Sequence, residues 1–96
     1  MARLPRKVVY DYTFEEQAKL LEPDAARLDE AIRGAEWAIS HHPEKLPIIE
    51  KTLRMAFTDT FPGMPAMRIF FSITDEHTCT VHWIERLEQE DESLGM

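Results

Sequence analysis

The chain has 96 residues, 44% of them hydrophobic, and one cysteine. That length suits a single core with no second one. The lone Cys79 excludes an internal disulfide, and no apolar run reaches the roughly 18 residues a membrane span needs. A formal net charge of −7 argues against a general nucleic-acid binder, whose surface must attract phosphate.

The charge is uneven. Residues 1–9 hold Arg3, Arg6 and Lys7 and no acid, whereas from Glu85 onward Glu85, Glu88, Glu90, Asp91 and Glu92 oppose Arg86 alone. Any phosphate site must therefore be local. The opening "MARLPRKVVYDYTFEE" turns polar without a long apolar run and does not read as a signal peptide. The expectation is a soluble cytoplasmic chain forming one domain over 1–96, with 88–96 a frayed acidic tail.

In chain order, "KVVYDYT" (7–13) is rich in β-branched and aromatic residues and predicts a first strand. Thr13 and Glu16 have the spacing of a capping box and predict a short helix to about Leu21. Pro23 interrupts it and suits the first position of a second helix. That helix carries Leu28, Ile32, Ala35 and Ile39 on one stripe. Gly34 weakens its middle and suggests close packing against the neighbouring helix. Pro43 ends it, with His41 and His42 in the last turn.

"EKLPIIEK" reads either as a loop or as a short helical turn. "TLRMAFTD" then alternates, with Leu53, Met55 and Phe57 on an inward face and Arg54, Ala56 and Thr58 outward. "TFPGMP" supplies a turn. In "MRIFFSIT", Met67, Ile69, Phe71 and Ile73 share the core face, and Arg68, Phe70, Ser72 and Thr74 share the other. After a "TDEH" turn, strict alternation puts Cys79, Val81 and Trp83 inward and Thr78, Thr80, His82 and Ile84 outward. Cys79 reads as a buried, inert thiol, and Trp37 and Trp83 as packing residues. The order strand, helix, helix, strand, strand, strand predicts an α+β fold of two layers.

This order and these strands, "MRIFFSITDEH" and "TVHWIER" above all, resemble the RelE/ParE toxin superfamily of toxin–antitoxin systems. Residue-level likeness runs over about 53–86. The resemblance implies an antiparallel sheet packed on a helical hairpin, and a cognate antitoxin as partner. It also implies one of two activities: mRNA cleavage on the ribosome, or inhibition of DNA gyrase. In the nuclease branch, basic side chains on the open sheet face stabilise the charge that builds on phosphoryl oxygens when a 2′-hydroxyl attacks.

Residue by residue, the resemblance assigns Arg68 to the family's strand arginine, Arg54 to a basic position on the preceding strand, and Arg86 to the basic end of the last strand. His82 stands in for a missing acid/base. If the strands pair as read, Arg54 and Arg68 converge on one phosphate.

The chain departs from the family in lacking further lysines on the second strand and a tyrosine or histidine after Arg86. An acidic tail also lies beside the expected site, so the activity expected is reduced or lost. The alternative reading is a non-catalytic acidic protein-binding module on the same scaffold. No cofactor motif is present. "HHPE" is a poor metal site, because adjacent helical histidines point about 100° apart.

Overall fold

The computed structural model describes residues 4–87. The acidic segment 88–96, with its expected fraying, and Arg3 lie outside the described residues. The chain opens with β1 (Lys7–Tyr10), shorter than the 7–13 expected, and turns into α1 (Tyr12–Leu21). The cap of α1 is Asp11, whose carboxylate accepts from the Thr13 backbone N–H, and not Thr13 as the capping-box spacing suggested. α2 (Ala25–His41) is likewise capped by Asp24, which accepts from Ala26 and Arg27 and leaves Pro23 outside the helix. In both helices a nearby aspartate takes the cap, because its carboxylate accepts from backbone N–H groups two or three residues ahead.

A short 3₁₀ turn (Pro43–Lys45) leads to β2 (Ile48–Glu50), a small edge strand where "EKLPIIEK" reads only as a loop or a helical turn. β3 (Leu53–Phe57), β4 (Met67–Asp75) and β5 (Thr78–Arg86) complete a five-stranded sheet in the order β1-β5-β4-β3-β2. The four later strands pair antiparallel, and β1 lies parallel against β5. The expected α+β order of β-α-α-β-β-β therefore holds, with β2 added at the edge. Between β3 and β4, "FPGM" forms a tight turn closed by Met64 N–H to Phe61 O at 2.9 Å, with Gly63 at φ 84°. Proline followed by a positive-φ glycine is the signature of a type II turn.

Both helices cover one face of the sheet. Phe14 and Ala18 of α1 and Ala31, Ile32, Ala35 and Ile39 of α2 form one buried cluster with Met67, Ile69, Phe71, Cys79, Val81 and Ile84. Burial pushes the Cys79 thiol above its ordinary pKa, which keeps it protonated and unreactive. No helix among the described residues is long and apolar enough to cross a membrane.

Two strands depart from simple alternation. In β3 the inward residue is Ala56, 4% exposed, whereas Phe57 is 55% exposed. The cause is the closeness of α2: Asp59 N–H donates to Ala31 O at 3.0 Å, so the end of β3 touches the helix backbone and admits only small side chains beneath it. A Cβ on Gly34 would meet Asp59 Oδ2 at 2.6 Å, so Gly34 makes room for the segment after β3 rather than for the neighbouring helix.

In β5 the register against β4 shifts between Phe70 and Phe71: Trp83 opposes Phe70 and Val81 opposes Phe71, leaving His82 as the extra residue of a bulge. The bulge turns His82 and Trp83 together away from the helices and brings Ile84 into the core. Trp83 and Ile84 thus exchange the faces that alternation assigns them. Trp37 is also no core residue; it is 54% exposed and stacks on His41 with ring centroids 4.3 Å apart.

Arg6 ties the layers together at one end. It is 8% exposed, donates to Asp75 O from Nε at 3.2 Å and pairs with Glu44 at 2.8 Å. Its backbone is bonded at both polar groups to Ser40 at the end of α2. The basic N-terminal residue is thereby used as structure.

Candidate functional site

With the helices on one side, no other described element covers the second face of the sheet, hereafter the open face, and cross-strand register orders its side chains in rows. Phe57, Arg68 and Glu85 form the first row, and Met55, Phe70 and Trp83 the second. Ser72 and Thr80 form the third, with His82 beside them on the bulge. The face is therefore apolar and aromatic along its middle and polar at its two ends.

Arg68 lies on this face as expected, but it is already occupied. Its Nε donates to Glu85 Oε2 at 2.6 Å and its Nη2 sits 2.5 Å from the same oxygen. The other carboxylate oxygen of Glu85 accepts from Trp83 Nε1 at 3.1 Å. The Arg68 guanidinium also rests 5.5 Å from the Phe70 ring centroid. The arginine fork that would meet a phosphate is filled by a carboxylate from the neighbouring strand.

Arg54 is on the opposite face. Its register partner is Phe71, which is fully buried toward the helices. Its Nη1 donates to the carbonyls of Leu46 at 2.8 Å and Glu44 at 3.2 Å, closing the 3₁₀ turn. The inverted alternation of β3 carried it there. Arg86 is exposed at the end of β5, in register with buried Met67 and so on the helix-facing side. The expected convergence of Arg54 and Arg68 on one phosphate does not form, and Arg86 does not join them.

His82 does face the open side. Its Nε2 is 2.7 Å from Ser72 Oγ and its Nδ1 is 3.4 Å from Asp11 Oδ2. Sequence reading missed Ser72, Asp11 and Glu85. The apolar Ile84 three residues after Val81 was the one signal that β5 must carry an extra residue, since strict alternation would have exposed it. Among the described residues no group of three or more His, Cys, Asp or Glu could hold a metal ion. His41 and His42 instead interact with Trp37 through their rings.

A second concavity of about 670 Å³ lies between α1 and α2, floored by Phe14, Ala18 and Ile32 and rimmed by charges including Glu15, Asp29 and Glu36. Tyr10 lines it, and burial followed by the negative charge of Glu36 pushes its phenol well above the ordinary range.

No protein-family model and no curated protein matches this sequence. Among solved structures, the chain is similar to one in the crystal structure of the toxin–antitoxin complex RelBE2 from Mycobacterium tuberculosis, with a TM-score of 0.58 and 19% sequence identity. The match covers 88% of this chain and 93% of the other. That likeness, with the order β-α-α-β-β-β-β and the five-stranded sheet, shows that the chain shares the fold of that structure.

Proposed function

We propose that this protein is a toxin-type member of a toxin–antitoxin pair, held by a cognate antitoxin, and that it acts by binding a protein target rather than by cutting RNA. The likeness to a chain of the RelBE2 complex supports the toxin-type role and the antitoxin partner. The observation that favours protein binding is the state of the three arginines. Arg68 is neutralised by Glu85, Arg54 is spent on backbone carbonyls, and Arg86 lies off the face. What the open face offers instead is Phe57, Met55, Phe70 and Trp83, side chains of the kind that anchor protein interfaces. Gyrase inhibition without catalysis is one form this activity takes.

The test is expression without a neighbouring antitoxin gene. Growth arrest is expected, relieved by Phe57→Ala combined with Trp83→Ala and unaffected by Arg68→Ala, with ribosome-bound mRNA intact. Harmless expression of the wild-type chain overturns the toxin-type role. A second reading, ribosome-dependent mRNA cleavage, is favoured by Arg68 and His82 sharing the open face. It requires cleaved mRNA and its loss in both Arg68→Ala and His82→Ala.

A further inference from the structure

Three elements far apart in the sequence meet at His82. The parallel pairing of β1 on β5 sets Tyr10 against Val81, and Asp11 N–H donates to Val81 O at 2.9 Å, which brings the Asp11 carboxylate beside the bulge. Ser72 reaches the same imidazole from β4. Asp11 is held in place twice, since its Oδ1 caps α1 at the Thr13 N–H, 3.4 Å away, while Oδ2 faces His82.

The proton positions follow from chemistry. An ionised carboxylate can only accept, so the contact with Asp11 requires the proton on Nδ1 of the imidazole. In the neutral ring Nε2 is then an acceptor, and Ser72 Oγ, 2.7 Å away, must be the donor. A hydroxyl giving its hydrogen bond to an imidazole that is itself oriented by a carboxylate is the arrangement that turns serine into a nucleophile. The imidazole and carboxylate are 37% and 40% exposed, so a small molecule can reach them. The neighbouring row, Phe70 and Trp83, supplies an apolar wall, and the Asp11 charge disfavours anions.

We propose that Ser72, His82 and Asp11 form a nucleophile, base and positioning residue that accept acyl groups from small neutral apolar esters. This activity is independent of the toxin-type reading. Ser72 Oγ attacks the ester carbonyl carbon while its proton passes to His82 Nε2. The tetrahedral intermediate collapses with cleavage of the bond to the alcohol oxygen, which takes the proton from Nε2 as it leaves. Water then attacks the acyl-serine, giving its proton to Nε2; the carboxylic acid is released as Oγ recovers that proton.

The test uses the purified full chain with p-nitrophenyl acetate and with a fluorophosphonate, where an Oγ–P bond forms and fluoride leaves. Mass spectrometry should place the phosphonyl adduct on Ser72. The labelling rate should fall about 100-fold in His82→Gln, the lower range for removing a general base. Added imidazole should restore part of the rate in His82→Gly. Asp11→Asn keeps an acceptor for the helix cap and should lower the rate about tenfold with the melting temperature unchanged; the ester should be hydrolysed in the same order of variants. Ser72→Ala, a surface change, provides the folded control without an adduct. An adduct elsewhere, no adduct, or the same rate in His82→Gln overturns the proposal. Growth arrest is measured separately with Ser72→Ala, so failure of this site and failure of the toxin-type role are distinguishable.

Discussion

Arg68 and Glu85 stand directly opposite one another on β4 and β5, with a single carboxylate oxygen 2.6 Å from Nε and 2.5 Å from Nη2. Glu85 thus occupies the position a phosphate oxygen would take, and Trp83 holds its second oxygen. The arginine is kept in geometry but deprived of free charge.

Replacing Glu85 by Gln should release that charge. Binding of a short single-stranded RNA, followed by fluorescence polarisation, should strengthen, and the slope of log affinity against log salt should steepen by about 0.7, the value for one added phosphate contact. The pair is partly exposed, so chemical denaturation should show a stability loss of no more than about 1 kcal/mol. An unchanged salt slope would show that Glu85 does not limit Arg68.

The inverted face of β3 predicts opposite responses at adjacent positions. Ala56→Leu should destabilise by about 1–3 kcal/mol, because the added methylenes meet the core under α2. Phe57→Ala should change stability by only about 0.5 kcal/mol, as for a surface position. Urea midpoints for the two variants decide between this register and the one that simple alternation suggests.

Arg6 should matter to stability although it belongs to a basic N-terminal cluster. Arg6→Ala removes a buried stem, a bond to Asp75 O and the pairing with Glu44, and should cost about 2–3 kcal/mol. Lys7→Ala, at an exposed position of β1, is the matched control and should stay near neutral. Thermal unfolding of both variants measures the contrast.

Tyr10 sets an alkaline limit. Its phenol is raised in the folded chain by burial and by Glu36, whereas in the unfolded chain it ionises near its ordinary 10.0. The unfolded state therefore loses its proton first, so this contribution to stability is complete below about pH 10 and is lost as pH rises from there toward the folded value. The slope contributed is at most about 1.4 kcal/mol per pH unit. Tyr10→Phe should flatten the decline of the urea midpoint above pH 10; a parallel decline in both proteins would contradict it.

Much of the fold was legible because its signals are local. The stripe of Leu28, Ile32, Ala35 and Ile39 and the prolines at 23 and 43 bound α2 to within two residues, and alternation along Met67–Ile73 marked β4 and its core face correctly. The caps were misjudged by one or two residues, because Asp11 and Asp24 compete for the same orphan N–H groups. The candidate site was less legible: Arg68 and His82 were placed on the open face, whereas Arg54 was assigned to the wrong side of β3.

The sequence by itself determined both helices, four of the five strands with their order, and the face that β4 buries, because hydrophobic period and turn residues act within a few positions; the short edge strand β2 escaped it. Which side chains share a face elsewhere was decided only by the tertiary structure. The approach of α2 to Asp59 admits alanine and excludes phenylalanine beneath it, and the one-residue bulge at His82 reverses every later side chain of β5. Pairing across strands then joined Arg68 to Glu85 and gathered Ser72, His82 and Asp11, contacts between residues far apart in the chain that no spacing within one segment can encode.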